Sequence, residues 1–165
     1  MQEVVRTWYP NYKISSEHTI LEIKQIYVWV VSSDNKVAIV SKSNGQFQFP
    51  GGHPEKGESL LDTALREVYE EAGFDISPFE SDIKQFGYYL IEQDGEKYLQ
   101  LRLLLILKEH SDIYPLKVNE KKDEERPVQS ARWVSLFDLP EYIPWTKGLE
   151  EYNKVIVAVK QKTVQ

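Results

Sequence analysis

Hydrophobic and β-branched positions crowd residues 19–31, TILEIKQIYVWVV, and predict a strand. Ser32, Ser33, Asp34 and Asn35 supply turn chemistry, and KVAIVS over 36–41 predicts the returning strand. A short extended piece at 47–50 then runs into Gly51 and Gly52, where the chain must turn sharply. Between residues 59 and 72 the period changes. Leu61, Ala64, Leu65, Val68 and Ala72 recur at helical spacing and predict one buried stripe. Ser59, with Asp62 three residues on, is placed to cap the start, and Gly73 supplies a left-handed stop. Residues 83–92 and 96–108 then flank Asp94-Gly95, a strong hairpin signal. The second arm contains YLQLRLLLILK, apolar enough for a central strand. Residues 128–136 predict one further strand, and 147–159 a closing helix. Without regular βαβ alternation, this order predicts an α+β fold with helices packed on a mixed central β-sheet.

Composition narrows the class. The chain has 165 residues, 41% hydrophobic and 28% charged, the makeup of a folded globular protein rather than a disordered one. No internal repeat or linker divides it, so residues 1–165 are expected to form a single domain. No apolar run approaches the roughly 20 residues of a bilayer span, and MQEVVRTWYP lacks the pattern of a signal peptide. A cytoplasmic protein with no membrane partner is expected. Cysteine is absent, which excludes thiolate metal sites, disulfides and cysteine nucleophiles. A net charge of −6 argues against general affinity for nucleic acid. An anionic substrate would therefore have to arrive with a cation.

The helix carries candidate chemistry. Glu67, Glu70 and Glu71 stand at i, i+3 and i+4, along one side of the predicted stripe. A solvated acidic face is the ordinary fate of such residues, but two details oppose it. Glu70 and Glu71 occupy the last turn, where the helix dipole disfavours negative charge. Arg66 can pair with Glu70, whereas Glu67 and Glu71 form a like-charge i,i+4 pair that no helical cation is spaced to relieve. Such a pair costs about 0.2–0.5 kcal/mol unless a cation sits between its members. Oxygen donors of this kind suit Mg²⁺ or Mn²⁺ better than zinc.

A resemblance follows from the spacing. Gly52 is followed after five residues by Glu58 and, after seven more, by REVYEEAGF at 66–74. This looks like the signature of the Nudix hydrolase family, with every defining position filled; chance coincidence runs at about 10⁻⁹ per window. The resemblance implies an α/β/α sandwich in which this box forms a loop–helix–loop. It also implies metal-dependent hydrolysis of a nucleoside diphosphate derivative or nucleoside triphosphate by water attack at phosphorus. Carried over by position, Glu67, Glu70, Glu71 and the Gly52 carbonyl would hold the metal. Glu70 would be a further ligand or water-activating group, and Glu58 and Arg66 would support the catalytic carboxylates. A catalytically inactive Nudix-fold nucleotide-binding or regulatory domain is the alternative. Isopentenyl diphosphate isomerases resemble the same family but rely on a cysteine that this chain lacks. The family's zinc-ribbon NADH pyrophosphatases are disfavoured on the same ground.

Outside the box, Lys56, Phe47, Trp8 and Tyr9 are candidates to touch substrate, and Tyr12 shares the aromatic-rich start. His53 beside the glycines and Glu120, Glu124 and Glu125 in the charge run KVNEKKDEER are read first as solvated loop residues. Tyr88 and Tyr89 carry little weight as substrate contacts, and Trp29 and Trp133 are expected in the core. The partner expected is a small nucleotide, bound by a monomer or homodimer.

Overall fold

The computed structural model describes residues 3–119 and 127–164. Its strands are β1 (Val5–Tyr9), β2 (Ile23–Val31), β3 (Lys36–Lys42), β4 (Phe47–Gln48), β5 (Gly51–Gly52), β6 (Lys84–Gln93), β7 (Glu96–Ile106) and β8 (Val128–Ser135). The α-helices are α1 (Leu60–Ala72), α2 (Leu139–Tyr142) and α3 (Glu150–Val164). The strands join in the order β1-β6-β7-β2-β3-β4, with β5 against β2 and β8 against β3. Only β2 and β7 run parallel among the described pairings, so the sheet is mixed and the fold α+β.

Alternation along β2 assigns the two faces. Ile26, Val28 and Val30 pack with Ala64 and Val68 of α1. Trp29 and Val31 pack with Val155 and Val159 of α3 on the opposite face. Each strand residue thus meets a different helix from its neighbour, because successive side chains point to opposite sides. Burying a large side chain of this kind contributes about 1.5–3 kcal/mol, so both helices are held by core contacts rather than by propensity.

Helix α1 begins and ends as its residues dictate. The Ser59 hydroxyl accepts the Asp62 N–H at 3.0 Å, and the Asp62 carboxylate accepts the Ser59 N–H at 3.3 Å, completing a capping box. At the other end Gly73 takes φ 66°, and a Cβ there would also collide with the Lys117 carbonyl. That approach is functional for the helix. Lys117 and Asn119 donate their N–H groups to the Ala72 and Glu70 carbonyls, each at 2.8 Å, tying off the last turn.

The structure corrects several boundaries. The first long strand begins at Ile23 rather than Thr19, because Ser16–His18 forms a 3-10 turn. Its anchor is the buried His18 ring, whose Nδ1 lies 2.8 Å from the Tyr88 hydroxyl. Of the extended piece at 47–50 only Phe47 and Gln48 form a strand, β4 on β3, and the two glycines after it form β5 on β2 rather than a sharp turn. The closing helix starts at Glu150, after Gly148 at φ 76°, and continues to Val164. Short α2 carried no periodic signal of its own. Among the described residues, no helix is long and apolar enough to cross a membrane.

Candidate active site

Two glycines set the geometry. Gly51 and Gly52 pair with Tyr27 and Ile26 of β2, so close that a Cβ on Gly51 would strike the Ile26 carbonyl. A Cβ on Gly52 would collide with the Glu67 carboxylate. Glycine at both positions lets the β5 backbone meet β2 and the Glu67 carboxylate with no Cβ between them.

Glu71 is 1% exposed and both its oxygens are engaged. Oε1 accepts the Gly51 N–H at 2.7 Å, and Oε2 accepts from Lys42 Nζ at 2.8 Å. Glu67 is half-buried. Its burial and the neighbouring Glu71 and Glu70 charges push its carboxyl up to about 7, against the pull of Arg66. The acidic cluster is therefore crowded enough that one member resists ionisation near neutral pH.

Arg66 works as a pin. Its Nε and Nη2 donate to the two Glu58 oxygens at 2.7 and 3.0 Å, and Nη2 donates to the His53 carbonyl at 2.9 Å. Its Nη1 reaches Glu67 at 3.0 Å and Glu70 at 3.3 Å. The guanidinium beside Glu58 holds that carboxyl down to about 2. Glu58 also accepts the Glu55 N–H and the Thr63 hydroxyl. Together Glu58 and Arg66 clamp the loop after β5 onto the first turns of α1.

These contacts correct the expectation that Glu67 and Glu71 lack a cation. Helical spacing placed Arg66 beside Glu70 alone, yet its long side chain also bends to the adjacent Glu67. Glu71 is met by Lys42 from β3, a tertiary contact that helical periodicity does not register. Among the described residues, no three His, Cys, Asp or Glu side chains are gathered closely enough to hold a metal. The donor set nevertheless fits a hard divalent ion: Glu67, Glu71 and Gly52 line one cavity and offer oxygen ligands.

That cavity measures about 1090 Å³. Gly52, His53, Arg66, Glu67 and Glu71 lie along one side, and Phe47, Phe49 and Trp145 supply aromatic surface. Glu70, Glu58 and Lys56 lie outside this lining, Glu70 and Glu58 being engaged by Arg66. Trp8 and Tyr9 also lie outside it. The Trp8 ring packs against Gly87, Phe86 and Tyr89, while Tyr9 stacks on Tyr88 at 5.2 Å. Tyr88 is fully buried and Tyr89 nearly so. Trp29 is core, and Trp133 is partly buried with its indole N–H on the Tyr114 carbonyl. Glu120, Glu124 and Glu125 lie outside the described residues.

The remaining lining was not singled out in the sequence. Gln25 and Tyr27 on β2, Tyr98, Gln100 and Arg102 on β7, and Arg6 on β1 form a polar floor. A signal for most of them exists. In YLQLRL the polar positions alternate with Leu99, Leu101 and Leu103, so Tyr98, Gln100 and Arg102 share the face opposite the α1 core. Gln100 donates to Gln25 across the parallel pair, and Arg102 lies 4.8 Å from the Tyr27 ring centre. Lys42 carried no local signal.

Comparison with known proteins agrees with this fold. The Nudix domain model matches residues 23–154. An isopentenyl-diphosphate Delta-isomerase of Cutibacterium acnes is 22% identical, over 82% of this chain and 72% of that protein. The Nudix domain of Shewanella oneidensis NrtR, solved with ADP ribose, has a TM-score of 0.59 at 14% identity, covering 92% of this chain and 94% of its own. A Bacillus subtilis pyrophosphohydrolase has a TM-score of 0.56 at 17% identity, covering 78% and 72%. At these identities the structures attest the shared fold. With the match spanning residues 23–154 and the box seated on β5 and α1, this chain belongs to the Nudix family.

Proposed function

We propose that the protein is a divalent-metal-dependent pyrophosphohydrolase, cleaving the diphosphate linkage of a nucleoside diphosphate derivative or nucleoside triphosphate. The observation that carries this reading is the meeting of Gly52 with Glu67, beside the buried Glu71, on the wall of a cavity large enough for a nucleotide. Glu67 and Glu71 would hold Mg²⁺ or Mn²⁺ together with the Gly52 carbonyl, and Glu70 would be a further ligand or water-activating group. A divalent ion bound there supplies charge neutralisation on phosphoryl oxygens and makes water more acidic. The chain's own contribution is placement. Glu58 and Arg66 keep the loop and α1 in register, so Glu67 and Glu71 face the cavity without rearranging. The Gly51–Gly52 backbone, free of side chains, lets a diphosphate approach closely.

The polar floor and aromatic surface then receive the rest of the substrate, with Phe47 as a contact. The isomerase relative raises a second activity, but the missing cysteine favours hydrolysis. We place the function in a single domain over residues 1–165, acting in the cytoplasm as a monomer or homodimer. The test is a panel of ADP-ribose, dinucleoside polyphosphates and oxidised nucleoside triphosphates with Mg²⁺, with products identified after reaction in ¹⁸O-labelled water. Label on a phosphate product supports the reading. Label on a sugar carbon, or faster turnover of simple phosphomonoesters, overturns it.

A further inference from the structure

The cavity has two sides of opposite character. Its carboxylates among the described residues, Glu55, Glu67 and Glu71, all belong to α1 or the loop before it. The strand floor instead brings Arg6 of β1 and Arg102 of β7 to the same space, in a chain whose net charge is −6. Strand register builds that floor. Arg102 pairs with Tyr27 across β7 and β2, while Arg6 and Tyr98 both pair with Ile91 of β6, and paired residues share a face.

Arg102 is deeply buried yet only partly engaged. Its Nε donates to Glu151 at 2.8 Å, and the Tyr27 and Tyr89 rings hold its plane from 4.8 and 4.9 Å. Nη1 reaches the Leu101 carbonyl only at 3.5 Å, and Nη2 meets no acceptor among the described residues. That nitrogen is not sealed from solvent, and it is the cavity that Arg102 borders. The Tyr27 hydroxyl also makes no hydrogen bond among the described residues, and Arg6 has no carboxylate partner there. Burial pushes the Tyr27 hydroxyl up while the Arg102 and Arg6 charges pull against it, so both guanidiniums act on that one group. Glu151 balances Arg102, which leaves the floor with the Arg6 charge and the spare donors of Arg102 and Tyr27. A charged acceptor with several oxygens answers all three, where a neutral hydroxyl or base edge would leave the charge unmatched. We propose that Arg6, Tyr27 and Arg102 form a phosphate subsite, which holds a phosphate of the substrate outside the linkage being cleaved. This rests on the hydrolase reading above and narrows its substrates to those bearing such a phosphate, as a ribose monoester or further along a polyphosphate chain.

Two pairs of compounds separate these sources. ADP-ribose 2′-phosphate differs from ADP-ribose by a monoester, and diadenosine tetraphosphate differs from diadenosine diphosphate by its added chain phosphates. With Mg²⁺ the wild type should favour the more phosphorylated member of at least one pair by roughly tenfold in kcat/KM, through KM, the scale of one charge-assisted contact. Metal-free calorimetry on the same pairs should show that preference in Kd, independently of turnover. Arg6→Gln and Tyr27→Phe remove no side-chain hydrogen bond found among the described residues, and each should cut the preference by roughly threefold or more. Arg102→Met alone would strand the buried Glu151, so Arg102→Met/Glu151→Leu carries that arm and should abolish the preference. Circular dichroism melting checks its fold, and the Arg6 and Tyr27 variants decide should it melt early. Equal use and equal binding within both pairs overturn the subsite, as does a preference that the variants retain. A binding preference without turnover of either pair overturns the hydrolase reading and leaves the subsite standing, so the two failures are told apart.

Discussion

Two glutamates, one on each face of the sheet, are each 1% exposed, and each meets a cation at 2.8 Å. Glu71 of α1 meets Lys42 and a backbone N–H of β5. Glu151 of α3 meets Arg102 and the Trp29 indole N–H. Their surroundings separate them. Arg102 is 4% exposed, lies within 5 Å of the Tyr27 and Tyr89 ring centres, and is fixed as a planar donor. Burial and the adjacent Glu151 charge push the Tyr89 hydroxyl upward, so that ring stays neutral beside the pair. Lys42, like Arg102, borders the cavity, but its side chain is 21% exposed. A buried acid whose partner is also buried supports structure, while one whose partner reaches solvent is placed for chemistry.

The largest effect expected tests the structural member. Glu151→Leu leaves Arg102 buried without its carboxylate and should cost about 3–5 kcal/mol by chemical denaturation. The double variant Glu151→Leu/Arg102→Met should recover most of that loss, because an apolar pair needs no compensation. Failure to recover would move Glu151 out of its structural role. Next comes Glu71→Gln. Its amide oxygen can still accept the Gly51 N–H, and the Lys42 side chain is already 21% exposed to solvent. Stability should therefore change by less than about 1.5 kcal/mol. Turnover should fall by roughly 10²–10³, on the scale of losing a preorganised charge at the reacting centre. Full activity in this variant would erase the distinction between the two glutamates.

A smaller effect sharpens the role of the Arg66 pin. Glu58 is held near 2 in the folded state, well below its ordinary value, so its ionised form favours folding. That contribution is complete above the unfolded carboxyl's range, near 4.3, and is lost as pH falls from there toward about 2. Glu58→Gln should be destabilised at pH 7 by about 1–3 kcal/mol and show a flatter stability profile below pH 5 than the wild type. Parallel profiles for the two proteins would contradict this. The smallest effect concerns the aromatic residues. Phe47→Ala should raise KM by roughly three- to tenfold, whereas Trp8→Phe should leave KM within about twofold, since only Phe47 borders the cavity. A raised KM in the Trp8 variant would place β1 aromatics in substrate binding after all.

Much of this arrangement was legible in the chain, for identifiable reasons. The α1 stripe, its Ser59–Asp62 cap and its Gly73 stop depend on residues within a few positions of each other, so local spacing was enough. The hairpin at Asp94-Gly95 is likewise local, and Asp94 takes the positive φ of 56° that such a turn requires. The box itself is a single run of sequence. Where the reading went astray, a distant partner decided. His18 is turned inward by Tyr88, seventy positions away, which delays the first long strand. Trp8 looked available for a ligand, but Gly87 opens a slot that takes its ring.

The amino-acid sequence by itself determined the family, the α1 helix and the identity of the carboxylates, because those follow from periods and spacings along one segment. Tertiary structure alone decided how the charges are shared. Lys42 stands 29 positions before Glu71, and Arg102 stands 49 before Glu151. Tyr27 and Arg102 share one floor only because β2 and β7 lie side by side in parallel. Strand pairing brings together residues that no local pattern connects, and burial then fixes which charges must be answered at close range.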